Sequence, residues 1–147
     1  MVAEEVYERI LVGYDGSDNA KRALKKTIQL SKSSSEGELF VVVAFDSANL
    51  YVLSMGQYYA SARGEMGQHA QDLLSEALRI VKQAGIKTNG SVEEGRPADM
   101  ILAKAIESRA DLIVVGRRGI RGIERFLMGS VSSSIVSHSE VDVLVVK

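Results

Sequence analysis

The chain has 147 residues, a net charge of −1, 46% hydrophobic and 25% charged residues, and no cysteine. This is the profile of a single globular domain, residues 1–147, able to bury about 70% of the surface its unfolded form exposes. It excludes a disulfide framework, a thiolate nucleophile and a cysteine-ligated zinc site, and near-neutral charge argues against a nucleic-acid partner.

No apolar run approaches the roughly 20 residues that span a bilayer. The stretch Met1–Arg9 is acidic rather than basic and does not read as a secretory signal. A cytoplasmic protein with no membrane partner is expected.

The first apolar run, Tyr7 to Tyr14, holds Ile10-Leu11-Val12 and reads as a strand. After Asp15-Gly16-Ser17, apolar residues at Ala20, Ala23, Leu24 and Ile28 follow helical spacing. Ser17 or Asp18 can cap that helix, and the stretch Lys32–Gly37 ends it. Leu39 to Phe45 is the second strand. Ser47 to Gln68 is the least regular segment, with Tyr51, Met55, Tyr58, Tyr59 and Met66 among glycines and serines. It is expected to be a loop running into the second helix. The alternative is a lid or partner-contact loop, because ligands sit beyond strand ends in this architecture.

The second helix is marked by Ala70, Leu73, Leu74, Ala77, Leu78 and Val81, with Gly85 as its stop. Lys87 to Glu93 is a weaker third strand, interrupted by Asn89-Gly90. The single proline, Pro97, opens a helix carrying Ala98, Ile101, Leu102, Ala105 and Ile106. Leu112 to Val115 is the fourth strand. A fourth helix starts near Gly129-Ser130 and carries Val131, Ile135 and Val136. Val141 to Val146 is the last strand. Val- and Ile-rich runs without strict alternation suit strands buried on both faces. The β-α-β-α-β-α-β-α-β order implies an α/β fold, a parallel sheet with helices on both faces and right-handed crossovers.

The P-loop pattern, G-x-G-x-x-G, H-E-x-x-H and G-x-S-x-G do not occur. A different glycine series follows the fourth strand: Gly116-Arg117-Arg118-Gly119, nine residues, then Gly129-Ser130. A glycine at a strand's carboxyl end lets backbone approach a ligand without a Cβ in the way. A helix start offers unpaired N–H groups and the positive end of a dipole, which favour an anion. Ser130 adds a hydroxyl, and Arg117, Arg118, Arg121 and Arg125 supply charge suited to a polyphosphate. The competing reading makes these glycines turn and cap residues beside a solvated basic face.

The first strand ends in Gly13-Tyr14-Asp15-Gly16-Ser17. If the strand order reverses between the first and fourth strands, their carboxyl ends share one crevice. Asp15 then either accepts from a ribose hydroxyl or adenine amine, or only orders its own turn.

Ile10–Ser17, Gly95-Arg96-Pro97, Ala110–Gly116, the G-x2-G-x9-G-S series and Val141–Lys147 together resemble the universal stress protein family, in its nucleotide-binding branch. The likeness covers nearly the whole chain. It implies a Rossmann-like, open five-stranded parallel sheet of order 3-2-1-4-5, a homodimer, and a role in the stress response. It also implies binding of ATP (or AMP or ADP), with Mg2+ bridging the phosphates. By position, Gly13 and Asp15 fall at the adenosine end and Ala44 at the adenine. Val115 and Gly116 border the nucleoside. Gly119, Gly129, Ser130 and Val131 hold the phosphates through backbone N–H groups, beside Arg117 and Arg118. Three positions depart from the family's habit: Arg117 where a small residue is commoner, and Gly13 and Asp142 where proline often stands.

His69 and His138 fall in no catalytic arrangement, and no catalytic or metal-ligating residue is assigned. A nucleotide-binding regulator or sensor is expected rather than an enzyme, with slow ATP hydrolysis at most. The alternative is a dimeric interaction module without a functional nucleotide site. The dimer has an independent argument. Val141 to Val146 would be an edge strand guarded only by Asp142 and Lys147, and pairing it with its own copy would cover the edge.

Overall fold

The computed structural model describes residues 6–48, 58–118 and 128–147. The elements are β1 (Arg9–Gly13), α1 (Asp18–Ser31), β2 (Glu38–Phe45), α2 (Tyr59–Gln83), β3 (Lys87–Glu94), α3 (Pro97–Glu107), β4 (Leu112–Gly116), α4 (Ser130–His138) and β5 (Asp142–Val146). The five strands form one sheet in the order β3-β2-β1-β4-β5, and every pairing is parallel. The expected fold class and strand order are both observed.

The apolar runs are buried on both sides because successive residues point to opposite faces. Leu112 and Val114 of β4 join Ile10 and Val12 beneath α1 and α2, whose Ala20, Leu24, Leu74 and Val81 complete that core. Ile113 and Val115 face the other way with Leu11 and Val42, beneath Ile101 and Ala105 of α3 and Ile135 of α4. Full burial of each such Leu or Ile side chain stabilises by about 1.5–3 kcal/mol. The segregation of α1 and α2 from α3 and α4 follows from chirality. The first two crossovers step one way across the sheet and the last two step the other way, and right-handed connections then put the pairs on opposite faces.

Two elements differ most from the sequence expectation. β3 is a full partner of β2 from Glu38↔Lys87 to Phe45↔Glu94. Gly90, which weakened the expectation, is there for clearance: a Cβ would lie 2.6 Å from Leu74 Cδ1 and 2.7 Å from the Val41 carbonyl. A side chain would push α2 off the sheet.

The second difference is α2, which begins at Tyr59, well inside the stretch expected as a loop. Two internal glycines, Gly64 and Gly67, each cost a helix about 1 kcal/mol relative to alanine. Tertiary contacts offset that cost. Tyr59 and Arg63 lie one turn apart on the same side of the helix. The Tyr59 hydroxyl meets Ser47 Oγ at 3.1 Å, and Arg63 donates through Nε to Glu94 Oε1 at 2.6 Å and through its terminal nitrogen to Glu94 Oε2. The rest of that stretch, 49–57, lies outside the described residues, as does the expectation of a lid there.

Candidate functional site

In this strand order β1 lies between β2 and β4. The chain leaving β1 runs over one face toward β2, and the chain leaving β4 runs over the other toward β5. The carboxyl ends of β1 and β4 therefore border a crevice, the place where ligands sit in open α/β sheets.

At the exit of β1, the Tyr14 N–H donates to the Val42 carbonyl at 2.9 Å and prolongs the ladder by one bond. The next three residues make a tight turn. Asp15 Oδ1 accepts from the Ser17 N–H at 2.9 Å, a local turn that Asp favours. Gly16 has φ +79°, and a Cβ there would meet Leu73 Cδ2 of α2 at 2.8 Å. Ser17 Oγ then accepts from the Ala20 N–H at 3.1 Å and caps α1. The turn-ordering role of Asp15 is thus present. Burial raises the Tyr14 phenol pKa, and the Glu76 and Asp15 carboxylates push in the same direction.

At the exit of β4, a Cβ on Gly116 would lie 2.8 Å from the backbone carbon of Asn19 and 3.0 Å from the Ala20 nitrogen. The first turn of α1 rests directly on this glycine. The next two residues are held by three elements. The Arg117 N–H donates to the Val146 carbonyl of β5 at 2.7 Å. The Arg117 carbonyl accepts from the Gly129 N–H at 2.8 Å and from Ser132 Oγ at 2.7 Å. The Arg118 carbonyl accepts from Asn19 Nδ2 at 3.1 Å.

These bonds bring the start of α4 against the strand exit. Gly129 is its N-cap, and no side chain caps the helix. A Cβ on Gly129 would stand 3.1 Å from the Arg117 carbonyl oxygen and 3.3 Å from Arg118 Cα. The Ser132 hydroxyl donates to the Arg117 carbonyl at 2.7 Å and to the Gly129 carbonyl at 3.2 Å. No acidic residue sits in the first turn. The backbone N–H groups of Ser130, Val131 and Ser132 have no intrahelical acceptor by construction, and an anion is the partner their dipoles favour.

The structure therefore brings together Gly116, Arg117, Arg118, Gly129, Ser130 and Val131. Gly13 is the last residue of β1, and Asp15 lies two residues on. Ala44 is on the neighbouring strand β2, two residues past Val42, the partner of Gly13. Val115 is buried beneath α3, and Val131 packs toward the same core. Gly119, Arg121 and Arg125 lie outside the described residues. Gly13 has a packing role of its own, since a Cβ would meet Ile101 Cδ1 at 2.8 Å and Val115 Cγ1 at 3.2 Å. Asn19 and Ser132 were not singled out in the sequence. Each is an ordinary polar residue of a helix's first turn, and only the fold shows what it reaches.

A second polar cluster lies at the carboxyl end of β3. The Arg63 guanidinium and then the Ser47 hydroxyl, which donates to Glu94 Oε1 at 2.5 Å, pull the Glu94 carboxyl from 4.5 down to about 2. Among the described residues no group of three or more His, Asp or Glu side chains is placed to hold a metal ion. Nor is any helix among them long and apolar enough to cross a membrane.

Residues 6–147 match the model of the universal stress protein family. A universal stress protein of Methanocaldococcus jannaschii is 30% identical over 144 residues, covering 98% of this chain and 84% of the relative. The chain belongs to the universal stress protein family. Two solved structures of the family carry the likeness into three dimensions. The universal stress protein UspA from Lactobacillus plantarum superposes with a TM-score of 0.86 at 23% identity, over 98% of this chain and 100% of that one. A universal stress protein crystallised in complex with cAMP has a TM-score of 0.69 at 30% identity, over 97% of this chain and 98% of that one.

Proposed function

We propose that this universal stress protein is a nucleotide-dependent regulator of the stress response that takes ATP in the crevice between the ends of β1 and β4. AMP and ADP share the same nucleoside and are alternative ligands of the same site. The observation that carries the reading is the start of α4. A glycine N-cap, no capping side chain and no first-turn acid leave that helix start without a side-chain partner, and the Gly129–Arg117 bond sets it against the exit of β4. The cAMP complex of a relative supports an adenine nucleotide as the ligand class.

In this reading Gly13 and Asp15 border the adenosine, with the second carboxylate oxygen of Asp15 turned to the ribose. Ala44 lies at the adenine. Val115 and Gly116 flank the nucleoside. Gly119, Gly129, Ser130 and Val131 meet the phosphates through backbone N–H groups, and Arg117 and Arg118 add charge. Mg2+ would be held through the nucleotide's phosphates, since no carboxylate cluster among the described residues is placed to hold it, and it would offset their negative charge. Asp15 spends one oxygen on its turn and is not placed as a general base, so turnover of ATP is slow at most.

The functional unit in this reading is a cytoplasmic, single-domain chain that pairs through β5. That strand bonds only to β4 in the sheet, and its residues from Val143 to Val146 are only partly buried. Pairing with a second copy would satisfy the open edge. Sedimentation of wild type and Val143→Pro tests this, and a dimer indifferent to the proline refutes it. Release of ATP or AMP from the purified, then denatured, protein tests the nucleotide site. The exposed edge also favours a second reading, a dimeric interaction module whose crevice has no ligand role. A wild type that dimerises but binds no nucleotide would select it.

A further inference from the structure

The strand exit that the nucleotide reading uses is held from a side that the glycine series does not include. Gly116 lets the first turn of α1 come into contact with the end of β4, and Asn19 stands at the point of contact. Its side chain is half-buried between two partners of opposite kind. Nδ2 donates to the Arg118 carbonyl at 3.1 Å, and Oδ1 accepts from the Arg22 guanidinium. Arg22 in turn donates through Nε to the Lys147 carbonyl at 2.8 Å.

The chemistry of this relay is directional. A guanidinium only donates and a carbonyl only accepts. The residue between them must accept on one side and donate on the other, and it must span the gap from the first turn of α1. An amide does both. Aspartate lacks the donor, and an aliphatic side chain lacks both groups. Arg22 also fixes which way the amide faces, because the oxygen must turn to the guanidinium.

The relay closes on itself. Lys147 follows Val146, whose carbonyl accepts the Arg117 N–H at 2.7 Å. Arg117 and Arg118 are thus tied at successive backbone groups to β5, α4 and α1. Peptide planes are rigid, so holding these groups fixes the backbone of Arg117 and Arg118 relative to the start of α4. Groups already held before a ligand arrives lose less conformational freedom on binding.

We infer that Asn19 is a positioning residue of the nucleotide site. By holding the Arg118 carbonyl against α1, it fixes Arg117 and Arg118 against the start of α4, through the Arg117–Gly129 bond, and thereby sets the affinity for the phosphate part of the ligand. This inference rests on the nucleotide-binding reading above. It predicts a split between ligands, because adenosine also draws on Gly13, Asp15 and Ala44 at the ends of β1 and β2, whereas the triphosphate draws on Arg117, Arg118 and the start of α4.

Calorimetry of wild type and Asn19→Ala with ATP and magnesium, and with adenosine by displacement of a fluorescent ATP analogue, reads that split. Loss of one hydrogen bond should weaken ATP by about threefold to tenfold and leave adenosine within about twofold. Hydrogen exchange of the unliganded protein gives a second readout. The Arg117 and Gly129 amides should exchange faster in Asn19→Ala, while those of Val12 and Val114 should not. Equal weakening of both ligands would reduce Asn19 to a general structural role and overturn the inference. ATP affinity that survives the substitution unchanged would overturn it as well, leaving the nucleotide reading intact. A wild type that binds neither ATP nor the analogue overturns the nucleotide reading itself.

Discussion

Two helices begin beside the same crevice, and they are finished in opposite ways. The start of α1 is closed by its own chain. Ser17 Oγ accepts from the Ala20 N–H, Asp18 sits in the first turn, and Asp15 braces the turn that leads in. The start of α4 has a glycine N-cap, no side-chain capping bond and no first-turn acid, and the Ser132 hydroxyl donates to the Arg117 and Gly129 carbonyls. One helix end is capped by a side chain of its own chain, and the other has no side-chain cap.

A missing side-chain cap is not enough to make that distinction. α2 and α3 also lack one. But α3 opens with Pro97, which has no N–H to satisfy, and carries Asp99 in its first turn. α2 opens on the β2–β3 side, where Arg63 and Glu94 tie it down. Among the described residues, only α4 combines an uncapped start, a glycine pressed against Arg117 and Arg118, and a position at the switch point. The lesson is that a helix end becomes a candidate site through what its surroundings withhold as well as what they supply.

The contrast can be broken most severely at Gly129. In Gly129→Val a branched side chain enters where the first carbon already stands 3.1 Å from the Arg117 oxygen. ATP affinity should fall by about a hundredfold or more, measured by calorimetry, with circular dichroism confirming the fold. Next comes Gly116→Ala, which places a Cβ 2.8 Å from Asn19 backbone. Backbone on both sides leaves no flexible neighbour to yield, so denaturant unfolding should show a loss of about 1–3 kcal/mol. Ser17→Ala removes the cap on α1 and should cost about 1 kcal/mol while leaving ATP affinity nearly unchanged. Ser130→Ala should do the converse, weakening ATP at constant stability. A large affinity loss in Ser17→Ala would erase the distinction between the two helix starts.

The smallest effect concerns the start of α2. Glu94 is held at about 2 in the folded chain, against its ordinary 4.5. A depressed carboxyl stabilises the fold fully above 4.5, and that contribution is lost as pH falls from 4.5 toward 2. Thermal midpoints measured across that window should fall more steeply for wild type than for Arg63→Ala. The exposed setting of the pair keeps the difference small. Identical pH profiles would remove the ion pair from the account of how α2 is anchored.

Most of the fold was legible in the sequence because its signals are local. Apolar runs such as Leu112–Val115, the capped start at Ser17 and Pro97 at a helix entry each carry their own reason. The start of α2 was not legible, because the bonds that hold it join Arg63 to Glu94 and Ser47 to Tyr59, partners that only the folded sheet brings together. The glycine series was legible as spacing but not as cause. Gly13 clears room for Ile101, and Gly116 for the first turn of α1. A glycine kept small for a protein neighbour and one kept small for a ligand look alike in a sequence. Asn19 and Ser132 went unnoticed for the same reason, since each partner is distant along the chain.

Whether the open start of α4 is a nucleotide site is decided most directly by titrating the purified chain with ATP and magnesium in a calorimeter. Saturable binding of one ATP per chain is the predicted result, abolished by Gly129→Val and retained by Ser17→Ala. No heat of binding up to roughly millimolar ATP, an affinity no tighter than about −4 kcal/mol, would contradict it.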